Sequence, residues 1–182
     1  MDLSASIPAR VEGDMKSRGM LFARADARGH AGITVSGTAD ISRSRAIALN
    51  ALPGESYTAL TASSLSGSTS NGRSDPLPVS GMLSQYSWKE GNTVRVASML
   101  SDNTGGAHSA FRAAASLYEN QPYGVSGREA MRPLFNLDAA GTRTALASIS
   151  SNAAARSISL LQQQGQFLPE PSLHIDFLLQ IS

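Results

Sequence analysis

The chain has 182 residues, a length that fits one domain, with 15 basic and 14 acidic side chains and a formal net charge of +1. The charges are scattered and form no basic block, which argues against a nucleic-acid-binding protein. The lack of cysteine excludes a disulfide scaffold, Cys-ligated zinc and thiol catalysis.

Charged residues make up 16% of the chain, against about 25% in an average soluble domain. Ser, Ala, Gly and Thr take their place, which favours stacked β structure with short polar turns. The first residues show no basic segment followed by an apolar core, so we expect no signal peptide in this chain. No run of about 18 apolar residues occurs, so no transmembrane helix is expected. Any export signal would lie outside the sequence.

Up to about residue 102, short runs with apolar residues at every second position alternate with Gly, Ser, Asn and Pro turns, which predicts strands. Regularly spaced short strands allow a sandwich, a barrel or a solenoid. The small aliphatic side chains and the 5% aromatic content favour a solenoid, and a generic antiparallel sheet remains the alternative. The predicted strands centre on Met20–Ala25, Ile33–Val35, Ala46–Leu49, Tyr57–Leu60, Leu83–Tyr86 and Val94–Val96.

One longer polar loop, Ser66–Pro78, interrupts the regular spacing of the strands. Function concentrates in loops, so this loop is the best candidate for an interaction surface. It could equally be a disordered insert.

After residue 102 the period of the apolar residues becomes helical, as in the stripe Ala107, Phe111, Ala114 and Tyr118. The pattern predicts three helices and one last strand. The first helix ends before Pro122, the second runs over 126–135, and the third runs from Asp138 as N-cap to about Gln164. The last strand covers Leu173 to Leu179.

No pattern of catalytic residues stands out. His30, His108 and His174 are far apart, and none has a partner at metal-binding spacing. There is no G-x-S-x-G elbow, no phosphate-binding glycine loop and no calcium loop. We therefore expect no catalytic, cofactor-binding or metal-binding residue, no cofactor, and no enzymatic activity. Trp88 and the tyrosines form either a binding patch or core packing.

Four phrases stand in a fixed order along the chain. Residues 54–67, GESYTALTASSLSG, are similar to a "G-x-x-Y-T-V-L-T-A-x-x-L-x-G" strand pair. Residues 37–49 precede it in the manner of "V-x-G-T-A … A-x-I-x-L". Residues 83–86 and 91–96 follow in the manner of "L-x-x-Y … N-x-V-x-L". Residues 145–151, ALASISS, stand where "A-L-x-x-L-S-G" is common. In this order the phrases resemble the C-terminal passenger region and helical linker of a bacterial autotransporter (type V secretion).

The resemblance implies a mainly β fold, with a short right-handed parallel β-helix over residues 1–102. A helical linker follows over 103–165, and a tail with one strand over 166–182. It implies a non-catalytic structural and folding module, an autochaperone-like segment that promotes passenger folding during outer-membrane translocation. The implied partners are upstream passenger coils and a C-terminal outer-membrane barrel that this chain lacks, with host or other surface ligands in addition. The implied location is the cell surface or the extracellular side, associated with the outer membrane.

Large hydrophobic residues are concentrated between residues 57 and 88, and burying each contributes ~1.5–3 kcal/mol. We therefore predict a folding nucleus there, formed by Tyr57, Leu60, Leu65, Leu83 and Tyr86. Two other functions stay open. One is a receptor-binding β-helix fragment such as a phage tailspike or an adhesin. The other is a remnant of an exported hydrolase.

Overall fold

The structure is a computed structural model that describes residues 9–26, 29–120 and 124–149. This part of the chain is mainly β, as the sequence predicts, and its strands precede its helices. The strands are β1 (Ala9–Val11), β2 (Met15–Lys16), β3 (Met20–Asp26), β4 (Gly29–Ala31), β5 (Ile33–Asp40), β6 (Arg45–Leu49), β7 (Ser56–Ser66), β8 (Leu77–Pro78), β9 (Leu83–Glu90) and β10 (Thr93–Leu100). The helices are α1 (His108–Glu119), α2 (Gly124–Ala130), α3 (Arg132–Phe135) and α4 (139–149).

Within the described residues the strands form two sheets. The larger has the order β1-β5-β7-β10-β9-β8, with β2 also paired to β5, and the smaller has the order β4-β3-β6. The chain alternates between them, because β1, β2, β5 and β7 belong to the larger sheet while β3, β4 and β6 belong to the smaller one. Parallel and antiparallel pairs both occur. The alternative of a generic antiparallel sheet is therefore wrong.

The parallel pairs repeat at a nearly constant step along the sequence. Ala9 of β1 pairs with Ile33 of β5, and Ile33 in turn pairs with Leu60 of β7. In the smaller sheet Met20 pairs with Arg45, which is a step of similar size. Each passage of the chain through the two sheets thus lies directly on the previous passage.

Parallel pairing stops at β7. The next strand in the sheet, β10, pairs antiparallel with both β7 and β9. Gly91 has φ +58° at the first central position of the two-residue turn between β9 and β10, the position that a type II′ hairpin turn reserves for glycine. The outermost strand, β8, has two residues and ends in Pro78, which limits further strand addition on this side.

The core lies between the two sheets and is rich in alanine. Cα atoms of β3 and β7 approach within 8 Å, whereas packed sheets usually lie about 10 Å apart. Buried alanines on both sides allow this approach: Ala23, Ala46, Ala48 and Ala59. The larger fully buried hydrophobic side chains are Val35, Ile41, Leu52, Tyr57, Leu60, Met82, Leu83, Val94, Val96 and Phe135.

The helices match the prediction in part. Residues 126–135 hold the end of α2 and all of α3 rather than one helix. Pro133 has no N–H for the bond of a continuous helix, and in α3 it lies in the first turn, where that N–H is not needed. Asp138 caps α4 as predicted, since its Oδ1 accepts from the Gly141 N–H at 2.7 Å. The predicted helix beyond residue 149 and the last strand, 173–179, lie outside the described residues.

The chain divides into two compact units, Met1–Ala147 and Ser148–Ser182. Both sheets and helices α1 to α3 belong to the first. None of the helices in the described ranges is long and apolar enough to cross a membrane.

Two successive passages of the chain come so close together at Gly67 that only a glycine fits there. Gly67 has φ +78°, and an added Cβ would lie 2.4 Å from the Ser42 Oγ and 2.7 Å from the Ser42 backbone nitrogen. We predict that Gly67→Ala lowers the free energy of unfolding by about 1–3 kcal/mol, measured by urea denaturation. Gly72→Ala is the control, because no atom lies within 4 Å of its added Cβ. Equal stability of the two variants would contradict the close stacking at this corner.

Candidate functional site

The outer edge of β6 is closed by side chains. A strand edge exposes N–H and C=O groups that need partners when they are buried. The Ala46 N–H donates to Asn71 Oδ1 at 3.0 Å, and Asn71 Nδ2 donates to the Ala46 carbonyl at 2.8 Å. Gln85 repeats the arrangement with Ala48, at 2.7 and 2.9 Å. Each amide therefore offers one acceptor and one donor, as a peptide group of a neighbouring strand would.

Both amides are buried and held in place by further hydrogen bonds. Asn71 is 2% exposed and Gln85 is fully buried. The Ser87 hydroxyl donates to Asn71 Oδ1 at 2.8 Å, and Gln85 Nε2 also donates to the Ser98 hydroxyl at 2.9 Å. Fully bonded amides in a buried site are rigid, and this fixes where the smaller sheet ends.

The row of side-chain partners continues along the turn after β6. The Arg132 guanidinium donates to the Asn50 carbonyl, and Asn136 Nδ2 donates to the Ala51 carbonyl at 3.0 Å. Arg132 is held by an ion pair with Glu129 at 2.6 Å. The hydrogen bond from Arg132 lowers the pKa of the Glu129 carboxyl, so this pair stays charged at neutral pH.

Tyr118 of α1 completes the row. Its hydroxyl donates to the Pro53 carbonyl at 2.9 Å, and its ring packs edge-on against Phe135 with 4.8 Å between centroids. The Arg128 guanidinium lies 5.5 Å from the centroid of the same ring, within the range of a cation–π contact. We name the whole row the side-chain cap: Asn71, Gln85, Tyr118, Arg132 and Asn136.

Four of the five predicted nucleus residues lie in the core. Tyr57, Leu60 and Leu83 are fully buried and Leu65 is 5% exposed. Tyr57 also donates to Glu55 at 2.8 Å and accepts from the Leu52 N–H at 2.8 Å, and burial raises the pKa of its phenol. The predicted residues of β7 and β9 thus meet in one cluster, with one exception.

The exception is Tyr86, which is half-buried on the outer face of β9. Successive side chains of a strand point to opposite faces, so the three-residue step from Leu83 to Tyr86 reverses the side. Tyr57 and Leu60 are also three residues apart, but an irregularity in the pairing of β7 with β10 lies between them. A bulge of this kind returns both side chains to the same face.

Tyr86 lines a groove of about 650 Å³. The groove lies between the β9–β10 hairpin, the turn after residue 52 and the helices α1 and α2. Its aromatic side is Tyr86 and Trp88, with 5.7 Å between ring centroids, and charged side chains such as Glu55 and Arg128 stand around it. An aromatic wall with a few polar groups is typical of a ligand site. These aromatic residues are predicted to form either a binding patch or core packing. Tyr86 and Trp88 line the groove, and Tyr118 lines it and is also buried in the core. Tyr123 lies outside the described residues.

Asn71 and Gln85 are not among the residues that the sequence pattern predicts to be functional. Asn71 lies in the loop Ser66–Pro78, for which an interaction surface or a disordered insert is predicted, and its side chain bonds to β6. A signal is present in β9, because Gln85 and Ser87 follow the apolar Leu83 at every second position and so share its face of the strand. Polar residues at core-facing positions of a strand indicate a buried hydrogen-bond network.

A second polar cluster precedes α1. Asp102 Oδ1 accepts from the Thr104 hydroxyl at 2.6 Å, and Asp102 Oδ2 contacts His108 Nδ1. In a Ser-His-Asp triad the hydroxyl bonds to the imidazole, whereas the Thr104 hydroxyl bonds to the carboxylate here. Thr104 also accepts from the Ala107 N–H and from the Arg143 guanidinium. The cluster therefore fixes the entry into α1.

Among the described residues no group of three or more His, Cys, Asp or Glu side chains could hold a metal ion. No protein-family model matches the chain, and no curated protein or solved structure is significantly similar to it.

The side-chain cap can be tested at its two amides. We predict that Asn71→Leu and Gln85→Leu each lower the free energy of unfolding by about 2–5 kcal/mol, because each leaves a buried N–H and C=O of β6 without partners. Chemical denaturation measures this loss. Asn120→Leu is the control, since Asn120 is exposed at the end of α1. A loss below about 1 kcal/mol for both buried variants would contradict the role of the amides.

The cluster before α1 predicts a dependence of stability on pH. The hydrogen bond from the Thr104 hydroxyl, followed by that from His108, holds the pKa of Asp102 below its ordinary 3.8. A carboxyl with a lowered folded-state pKa stabilises the fold above its unfolded-state pKa, and this contribution disappears as the pH falls through the folded-state pKa. We predict that Asp102→Asn weakens the loss of unfolding free energy between about pH 5 and about pH 2. Asp75→Asn, in an exposed loop, controls for the removed charge, and an unchanged acid slope in Asp102→Asn would contradict the prediction.

Proposed function

We propose that this chain is a non-catalytic structural and folding module of a secreted, surface-exposed autotransporter passenger. In this proposal the parallel strands β1, β2, β3, β5, β6 and β7 form successive coils of a short right-handed parallel β-helix, and the short β4 is a side hairpin on β3. The module promotes passenger folding during translocation across the outer membrane. One observation carries the proposal: parallel strands lie one on another, and the side-chain cap covers the last of them in the smaller sheet, β6.

The strand pairing supports a solenoid. The chain passes alternately through two sheets, and each passage pairs in parallel with the one before it at a nearly constant step. In a solenoid each repeat contacts only its neighbours, and a terminal cap shields the last repeat. The two amides on β6 and the β9–β10 hairpin on β7 cover the last coil in both sheets in this way.

The edge of the larger sheet opposite the cap supports a partner that adds beside β1 and β2. Within the described residues, no strand pairs with the outer edges of β1 and β2. An upstream passenger coil would add to the larger sheet there and pair with the same step, while in the smaller sheet β4 already pairs with Arg24–Asp26 of β3. The C-terminal partner would be an outer-membrane barrel, reached through the helices, and the location would be the outer-membrane surface. The order of the four sequence phrases supports both partners.

The aromatic groove favours a second candidate function, a receptor-binding β-helix fragment. Tyr86 and Trp88 face a space large enough for a small ligand. Phage tailspikes of this type usually form trimers, so the oligomeric state separates the two candidates. A monomer by analytical ultracentrifugation supports the autotransporter module, and a stable trimer supports the spike.

The folding role predicts a kinetic effect at Leu60. It pairs with Ile33 in the previous coil and with Val94 in the hairpin, so it joins the last coil to its cover. Leu60→Ala should destabilise the fold by about 2–5 kcal/mol and should slow refolding, because a nucleus residue acts mainly on the folding rate. Stopped-flow refolding of the whole chain measures this effect.

Leu146→Ala is the matched control for Leu60→Ala. Leu146 is 3% exposed but lies in α4, so its loss should mainly accelerate unfolding. A Leu60→Ala variant that refolds at the wild-type rate would rule out the nucleus.

Replacing a segment of a β-helical autotransporter with this chain tests the cellular role. The chain replaces the last passenger coils of a β-helical autotransporter, and protease resistance of the passenger on intact cells is measured. The wild-type chain should restore a resistant passenger and Leu60→Ala should not. Failure of both chains would contradict the proposed function.

A further inference from the structure

The outer face of the smaller sheet carries large apolar side chains in contact with solvent. Phe22 is 49% exposed, Leu49 45% and Met20 38%. Leu21 and Ala23 point into the core, so Met20 and Phe22 must point outward. Three of the six large hydrophobic residues that are exposed in the described part of the chain thus lie on this single face.

The pairing of β3 with β6 joins these side chains into one surface. Phe22 lies beside Ile47, and the apolar positions at either side are Met20 on β3 and Leu49 on β6. We name this surface the apolar face: Met20, Phe22, Ile47 and Leu49. At the end of Leu49 it continues into a hollow of about 390 Å³ that Val79 also lines. Contiguous exposed apolar surface of this kind usually marks an interaction site.

Arginines flank the apolar face. Arg45 pairs with Met20 and Arg24 pairs with Leu49, so one guanidinium lies at each end of the face. Arg43 is exposed in the turn before β6. No residue from Met20 to Arg24 of β3 or in β6 is acidic, and the one acidic residue of β3, Asp26, is its last residue. No ion pair of the described residues involves these three arginines. The surface is therefore apolar in the middle and positively charged at its margins.

We propose that the apolar face binds the surface of a lipid bilayer that carries anionic headgroups. Apolar side chains rimmed by arginine suit this ligand, because the former enter the boundary between headgroups and acyl chains while the latter reach the phosphates. A second copy of the chain would bring like charges together. This binding site goes beyond the proposed folding function and does not depend on it.

Vesicle co-sedimentation of the whole chain tests the proposal. The probes are vesicles of phosphatidylglycerol mixed with phosphatidylcholine, and vesicles of phosphatidylcholine alone. We expect partitioning onto the anionic vesicles that decreases as salt rises, because salt screens exposed charges. Arg24→Gln and Arg45→Gln should each weaken partitioning about fivefold. Phe22→Ser should weaken it by about tenfold or more.

The matched control is Leu117→Ser, which removes an equally exposed apolar side chain, 56% exposed, from α1 outside this face. It should partition like the wild type. The two arginine variants change only exposed side chains, so they keep the test valid if Phe22→Ser fails to fold.

Three results would overturn the proposal. They are equal partitioning onto both kinds of vesicle, no partitioning at all, and equal loss in Leu117→Ser. A wild-type dimer in sedimentation velocity that Phe22→Ser abolishes, without lipid binding, would assign the face to a second copy instead. Binding to an acidic protein without binding to vesicles would also overturn the lipid assignment.

Discussion

The backbone groups along the outer edge of β6 and the turn after it, from residue 44 to residue 53, need hydrogen-bond partners, and the rest of the structure depends on how this need is met. Inside a stack of parallel strands the next strand supplies every partner, but the final strand has no successor. In this protein side chains replace that successor. The Ser70 hydroxyl donates to the Ser44 carbonyl at 3.3 Å, beside the backbone N–H of the same residue. The side chains of Asn71 and Gln85 bond to β6, and side chains of the helices bond to the turn that follows.

This constraint explains why the helices described up to residue 147 form one unit with the sheets. Tyr118, Arg132 and Asn136 come from α1, α3 and the turn after α3, and each bonds to a carbonyl of the turn after β6. Phe135 fills the space beneath them and is fully buried. The helices thus complete the hydrogen bonding of the strands. A change in their packing would alter the hydrogen bonds to the turn after β6, at the edge of the smaller sheet.

The sequence alone predicted strands and helices well where the apolar period was long enough to recognise. Six strands and the helices α1 and α4 lie where the pattern placed them, whereas β1, β2, β4 and β8 have two or three residues each and leave no readable period. Pairing could not be predicted, because alternation identifies a strand but not its neighbour. The side of the sheet to which each side chain points was predicted only in part. Leu83 and Tyr86 were placed in one cluster, although they point to opposite faces of β9.

The side-chain cap was beyond sequence reasoning for a further reason. Asn71 bonds to a residue 25 positions earlier and Gln85 to one 37 positions earlier, so no local pattern joins the partners. Gln85 and Ser87 did mark an unusual inner face of β9. Only the folded arrangement shows that the polar residues there serve the edge of another sheet.

The β1 edge and the β10 side of the larger sheet differ in how strongly they resist a pulling force. Among the described residues, a force applied at Ala9 loads the few hydrogen bonds that join β1 to β5, which break one after another as the strand separates. A force applied beyond β10 meets antiparallel pairs on both sides of that strand, together with the helix contacts to the turn after β6. These bonds are loaded together. Under tension the described sheets would therefore open strand by strand from β1 before the pairs of β10 break.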